Sequence, residues 1–341
     1  MDLPRLIRSA DYDNVGDDRR KLTQLHRSGN LMRVYRGHYV SPADWNRLSR
    51  RERYGLRATA HSNLATAGPV FCHATAALLW GLWIVGIPLK LHVMTEVTSS
   101  GRNTKGITRH IGSLTENVVR CGPYLLADKR TTTLQLINSL SFPFAVAVCD
   151  SSLRPPEKRG GVNLFAEPGP EPFLHSPAWD TDSPQGKPLL LADLRAGADA
   201  MRSAAARKRT LAVVNFASAL SGSAGESLSR AKMFEMGFPE PILQEKFVLA
   251  DGSDAFVDFW FKKQRVAGEF DGLGKYLRSD WGGGLPLQER IIAEKKREDQ
   301  IRAHGVGFAR WDWNDMKNRE RMAYILRQAG VPQDRFGRRP N

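Results

Sequence analysis

Cysteine is scarce in this chain, with three in 341 residues. Cys72, Cys121 and Cys149 are far apart and form no CxxC pair, so their spacing gives no zinc site. The odd count and the apolar neighbours of Cys72 and Cys149 fit reduced core thiols. Long hydrophobic runs are also missing. The longest, around Ala76–Val85, is broken by Gly81 and falls short of the roughly 18 residues a membrane span needs. The opening MDLPRLIRS lacks the apolar core of a signal peptide, so the expected address is cytoplasmic, with no membrane partner. Negative charge is in deficit too. Fifty Lys and Arg stand against 36 Asp and Glu, a net +14. That balance points to a polyanionic partner, nucleic acid first, against the plainer reading of a solvated basic surface.

What is present is ordinary globular material, 41% hydrophobic and 25% charged. At about 100–200 residues per domain the length fits two or three domains. No internal repeat is visible. The expected class is α+β and multidomain.

Residues 1–45 are short and basic. Asp17-Asp18 can open a helix carrying Arg19, Arg20 and Lys21, which Ser28-Gly29-Asn30 stops. Leu31–Val40 alternates around Gly37 and reads as a hairpin. Helix then basic hairpin is the outline of a winged helix-turn-helix, with Arg33 and Arg36 as phosphate contacts. A small basic cap on the next domain is the alternative.

Residues 46–153 mix elements. The expected set is a helix over Cys72–Leu82, strands over Leu89–Thr95 and Ile107–His110, a helix over Thr131–Ile137 and a strand over Phe142–Cys149. His73, His92, His110 and Asp150 are the polar candidates here. Lone histidines beside apolar residues are more often core or surface groups than ligands, so no chemistry is assigned. Residues 154–188 hold eight of the 19 prolines and read as a loop or linker. An alanine-rich connecting helix over Leu190–Ala206 follows, within residues 189–221.

The chemistry is expected in residues 222–332, followed by a basic tail, 333–341. The predicted order is a helix to Met236, strands over Phe247–Leu249, Ala255–Phe261 and Arg265–Asp271, a charged helix from Pro286 to near His304, a strand over Gly307–Trp313 and a helix over Arg319–Gln328. Asp258 lies within the second strand and Glu269 near the end of the third, 269 − 258 = 11 residues later across one turn. Antiparallel pairing can bring such residues together. Two close carboxylates repel unless a cation sits between them. Mg²⁺ takes one or two carboxylates with waters and phosphate oxygens, and such an ion can activate water for displacement at phosphorus. Lys275 follows the third strand and could orient that water. Glu226 could reach the metal from its helix, and Gln244 could contact water or phosphate. Each has a plainer reading. Ser223-x-x-Glu226 is also a capping box. Asp258 could pair with an arginine, Asp271-Gly272 could be a turn, and Glu294/Glu298 could be helix surface pairs, although Arg297 could still point to a phosphate.

These residues also carry a resemblance. Gly225–Arg230 (GESLSR), Val257–Phe259 (VDF), Gly268–Gly272 (GEFDG) and Lys296–Trp313 resemble the PD-(D/E)XK superfamily, nearest its Vsr-like endonuclease domains. The resemblance implies a restriction-endonuclease-like α/β/α core with a mixed sheet and a Mg²⁺ cofactor, with Mn²⁺ as substitute. It implies metal held by Asp258, Glu269 and Asp271, and catalytic roles for Glu226, Asp258, Glu269 and Lys275. Asp271 stands where the family's D/E-x-K lysine would be, and Lys275 falls where many relatives carry a histidine. Leu25–Val40, His73–Leu82 and Phe144–Leu153 are similar to AbiEi-type antitoxins and transcriptional regulators. That similarity implies a winged helix and a mixed α/β middle domain over 46–153.

The expected function is a metal-dependent DNA endonuclease in phage defence, toxin–antitoxin biology or DNA repair. The alternative is a DNA-binding regulator or antitoxin with a nuclease fold that does not cleave, which the displaced lysine favours. A third is a middle domain that binds a toxin or defence partner protein.

Overall fold

The computed structural model describes residues 3–12, 18–64, 68–97, 103–104, 106–155, 184–272, 287–334 and 337, leaving out the side chains of 12, 18, 19, 103, 104, 287, 290 and 291. Lys275 and the Pro-rich stretch 156–183 lie outside the described residues, as does the side chain of Arg19. Among the described residues there are twelve α-helices and thirteen strands in three sheets, an α+β protein. No helix among them is long and apolar enough to cross a membrane. The chain separates into two compact units, Met1–Leu136 with Pro155–Leu189, and Ile137–Arg154 with Leu190–Asn341.

The first unit opens with β1 (Ile7–Arg8), α1 (Asp18–Arg27), β2 (Met32–Tyr35), β3 (His38–Val40), α2 (Pro42–Arg47) and α3 (Arg50–Ser62). Its three strands form an antiparallel sheet in the order β1-β3-β2. The hairpin turns at Gly37, whose φ of +69° favours glycine. Ser49 and Glu52 close a capping box at the start of α3, which lays Leu56 and Ala60 against Leu6, Val34 and Val40. The rest of the unit is a mixed six-stranded sheet. Its strands are β4 (Val70–Phe71), β5 (Leu91–Thr95), β6 (Asn103–Thr104), β7 (Ile107–Ile111), β8 (Val118–Cys121) and β9 (Tyr124–Ala127). They run in the order β6-β7-β5-β4-β9-β8, with β4–β9 and β5–β7 parallel. Helices α4 (His73–Leu79) and α5 (Lys129–Ser139) accompany it.

The second unit begins with a departure from expectation. Phe142–Cys149, expected as a strand, is part of helix α6 (Phe142–Leu153). A short apolar run does not distinguish a buried strand from a buried helix. Here Ser141 precedes the helix and Pro143 sits in its first turn, where a missing N–H is tolerated. Helix α6 is buried from Ala145 to Leu153, apolar through Cys149 and then carrying the buried polar residues Asp150, Ser151 and Ser152. The expected single helix over Leu190–Ala206 is also two, α7 (Leu191–Asp199) and α8 (Ala204–Phe216). Ser203 caps the second by accepting from the Ala206 N–H, and the backbone breaks before it.

Next come α9 (Ala224–Met236), β10 (Ile242–Val248), β11 (Asp254–Phe261), β12 (Val266–Phe270), α10 (Leu287–Ala303), β13 (Gly307–Trp311), α11 (Trp313–Lys317) and α12 (Arg319–Gln328). Strand β10 starts five residues earlier than expected (247 − 242), and α11 was not expected. Its signal is legible afterwards, because Asp312 and Asp315 form a capping box. Strands β10, β11 and β12 form an antiparallel meander, and β13 adds beside β12 in parallel. Phe259, Phe261, Val266, Phe270 and Trp311 share one core with Leu228 and Met233 of α9. Ala255, Val257, Trp260 and Ala267 share another with Ile301 of α10.

Asp150 joins α6 to α9. Its side chain is fully buried and pairs with Arg230 at 2.9 Å. It also accepts from the Ser218 N–H at 2.7 Å and the Ser227 hydroxyl at 2.7 Å. Arg230 donates to the Phe216 carbonyl at 2.6 Å and lies over the Phe216 ring. Removing one partner of such a pair strands a buried charge. Asp150→Ala is therefore expected to destabilise the second unit by about 3–5 kcal/mol, read as a lower denaturant midpoint. A loss below about 1 kcal/mol would show that the pair does not hold α6 to α9.

Candidate functional site

The site in the second unit is set by the start of α9 and the middle of the meander. Ser223 caps α9, its hydroxyl accepting from the Glu226 N–H at 3.2 Å. The Glu226 carboxylate is buried. It accepts from the Ser223 hydroxyl at 2.9 Å and from the Gly222 N–H at 2.6 Å, one residue before the cap. Gly225 is forced by packing. A Cβ there would stand 1.9 Å from the Phe270 ring, itself buried. Glycine thus lets α9 approach β12 closely enough to bring Glu226 to the sheet.

Gln244 lies in β10 with a φ of +52°, a backbone conformation that L side chains seldom adopt. Its Nε2 donates to Glu226 Oε2 at 3.2 Å and to Asp258 Oδ1 at 3.3 Å. Register explains the second contact. Leu243 pairs with Phe259 and Glu245 with Val257, which sets Gln244 across from Asp258. The other oxygen of Asp258 accepts the Phe270 N–H at 3.0 Å. Glu226, Gln244 and Asp258 are therefore brought together, each anchored by backbone groups or by one another.

Glu269 is held elsewhere. Strand β12 is buried along its whole length, and Glu269 is 7% exposed. Parallel register sets it beside Arg310 of β13. Arg310 reaches Glu269 Oε2 at 2.6 Å, and Arg297 of α10 reaches Oε1 at 2.6 Å. Arg297 also pairs with Glu294 at 2.7 Å, and Arg310 with Glu298 at 3.0 Å. Burial pushes the Glu269 carboxyl above its ordinary range, against the pull of Arg297 and Arg310. Burial opposes the charge on Arg297, yet Glu294 and Glu269 hold its pKa above the usual arginine value.

Of the expected metal ligands, Asp258 faces Glu226 across Gln244, Glu269 faces two arginines, and Asp271 lies just past the end of β12, its N–H donating to Trp311. The arginine pairing weighed for Asp258 occurs at Glu269. Arg297, expected to point to phosphate, is engaged with Glu269 and Glu294. Glu294 and Glu298 are more than helix surface pairs, since both also contact Arg310. Arg310 was not singled out. Its only sequence signal is its place in the Phe308–Trp311 strand. In the first unit, Arg20 and Lys21 are exposed on α1, Arg33 is exposed on β2, and Arg36 is exposed in the hairpin turn. Among the described residues, one group of three His, Cys, Asp or Glu side chains gathers its ligand atoms within 4.8 Å of one another. It is Cys72, His73 and His110, in the first unit.

The Gln244 amide separates two carboxylates, which yields a test. Gln244→Glu places a third carboxyl between Glu226 and Asp258. Repulsion raises its pKa in the folded chain above the unfolded value. Stability is then kept at low pH and lost as pH rises through about 4 to 7. Melting temperatures at both ends of that range should show the variant close to wild type in acid and below it at neutrality. An equal deficit at both ends would mean the two carboxylates do not sense position 244.

Set against known proteins, the chain matches no protein-family model and no curated protein.

Proposed function

We propose that the second unit is a metal-dependent endonuclease acting on DNA phosphodiesters, with Glu226, Gln244 and Asp258 at its centre. The observation that carries this reading is the convergence of Glu226 Oε2 and Asp258 Oδ1 on one Gln244 amide. The mixed sheet packed against α9 and α10 supports it as well, since the resemblance to Vsr-like domains implies an α/β/α core with a mixed sheet.

The donor set fits Mg²⁺, which takes one or two carboxylates and completes its shell with water and phosphate oxygens. Exchanging the ends of the Gln244 amide would offer Oε1 as a third oxygen in the same place. Asp258 and Glu226 would hold the ion. When bound, it supplies a Lewis acid beside the scissile phosphate and acidifies a water. The chain's own residues do the rest. The Gly222 N–H and Ser223 hydroxyl fix the Glu226 carboxylate. The Phe270 N–H fixes Asp258. Arg297 and Arg310 would offer positive charge to a phosphate while still paired with Glu269. Lys275 is assigned the assisting role at the water. Exposed Arg20, Lys21, Arg33 and Arg36, with the net charge of +14, fit a DNA-binding first unit of winged-helix type.

A second reading has its own observation. Both oxygens of Glu269 are neutralised by arginine, which suits a DNA-binding regulator that does not cleave. Purified protein incubated with plasmid, linear and single-stranded DNA, in Mg²⁺, Mn²⁺ or EDTA, separates the two. Metal-dependent nicking is expected to fall at least about 100-fold in Asp258→Ala and Glu226→Ala, in the range of losing a group that acts in the transition state. Binding without cleavage on every substrate and metal would establish the second reading.

Binding itself is expected to depend steeply on salt. Arg33→Ala and Arg36→Ala should each lower the slope of log affinity against log salt by about 1, nearly independently of sequence. Unchanged slopes would remove the β2–β3 hairpin from the interface.

A further inference from the structure

We infer that Cys72, His73 and His110 form a binding site for a zinc-like divalent cation in the first unit, oriented by His92 and separate from the acidic site of the second unit. The ligands come from two places in the chain, the adjacent pair Cys72 and His73 and the remote His110. Cys72 follows β4, His73 opens α4, and His110 lies in β7. The sheet assembles them. β5 lies between β4 and β7, and the Cys72 N–H donates to the His92 carbonyl at 3.1 Å. Their ligand atoms lie within 4.8 Å of one another. An ion with nitrogens near 2.0–2.1 Å and sulfur near 2.3 Å sets tetrahedral ligands about 3.3–3.6 Å apart, so binding draws the ligand atoms in by about 1 Å and reorients a ring.

Three further observations point to a ligand. His73 holds a φ of +47°, strain in a non-glycine residue that persists only where its surroundings demand it. Its N–H is held by Gln135 Oε1 at 3.0 Å, and its Nδ1 lies 3.3 Å from Cys72 Sγ. The His73 and His110 rings stack with centroids 3.6 Å apart, so one of them turns out of the stack when both place an in-plane nitrogen lone pair on a single ion. His110 Nε2 and His92 Nδ1 are 2.9 Å apart and share a hydrogen bond. With the proton on Nε2, His110 donates to His92 and leaves Nδ1 as a lone pair. This is the outer-shell arrangement that fixes the tautomer of a metal-binding histidine.

The donor set selects the ion. One thiolate and two imidazoles suit zinc or another borderline cation, whereas Mg²⁺ prefers oxygen. Binding expels the Cys72 thiol proton to solvent and forms the metal–sulfur bond. Three protein donors leave a fourth position for water or an added ligand, as in sites that exchange ligands. Cys72 itself is buried among Val70, Met94 and Ala127, while the three histidines are half-buried and give the ion its way in.

Cobalt(II) is the probe. One equivalent added to the chelator-treated full chain is expected to give the visible bands of tetrahedral cobalt and a near-ultraviolet thiolate-to-cobalt band, both displaced by Zn²⁺. Cys72→Ser should lose the thiolate band. His110→Ala should weaken binding at least 10-fold. His92→Ala, which removes only the orienting partner, should weaken it about 10–100-fold while keeping the thiolate band. Asp258→Asn, which alters the acidic site, should keep the thiolate-to-cobalt band. The wild-type spectrum decides the matter even if a variant fails to fold. No thiolate band at stoichiometric cobalt, or the same band in Cys72→Ser, overturns the site. Loss of the bands in Asp258→Asn would move the ion to the second unit and overturn it equally.

Discussion

The buried pair of Asp150 and Arg230 is the interaction on which the second unit depends. It crosses 80 residues of sequence, joins α6 to α9, and leaves α9 in place to present Glu226. A charge pair in such a setting contributes little net stability beside an apolar isostere, but its loss is severe. Its hydrogen bonds to the Ser218 N–H and Ser227 hydroxyl show why the cost of burial is met here. The same pair explains why residues 137–154 cluster with a unit whose remaining sequence begins at Leu190.

From α9 the constraint passes to the sheet. Gly225 permits the close approach to Phe270, and that approach lets a helical carboxylate meet a strand carboxylate across Gln244. Glu269, one residue before Phe270, turns instead to Arg297 and Arg310. Two acids eleven residues apart thus receive opposite treatments. Asp258 is held by an amide and a backbone N–H, Glu269 by guanidinium groups. The difference is one of neighbours. Asp258 meets β10, whereas Glu269 lies beside the arginine that parallel β13 supplies.

Much of this unit was legible in the sequence. The meander, the long charged helix and the last strand follow from period-two alternation, Gly turns and the charge pattern, and they lie within a few residues of their expected places. Asp258 was singled out from strand placement and spacing, Glu226 from its helix and Gln244 from its place near the start of the meander. What failed did so for identifiable reasons. Phe142–Cys149 is apolar on every side, so no period existed to tell helix from strand. The break at Ser203 depends on one cap, which a run of alanines conceals. The histidines at 73, 92 and 110 are separated by 19 and 18 residues, and no spacing rule joins them before β4, β5 and β7 are placed side by side.

By itself the sequence determined the α+β class, the basic charge, the reduced thiols and the order of elements around the acids, because these rest on composition and local periodicity. The tertiary structure decided which acids meet. It set Glu226 beside Asp258, gave Glu269 to Arg297 and Arg310, and drew Cys72, His73 and His110 together. Those outcomes rest on strand order, register and close helix packing, and each needs at least one partner that the chain keeps far away.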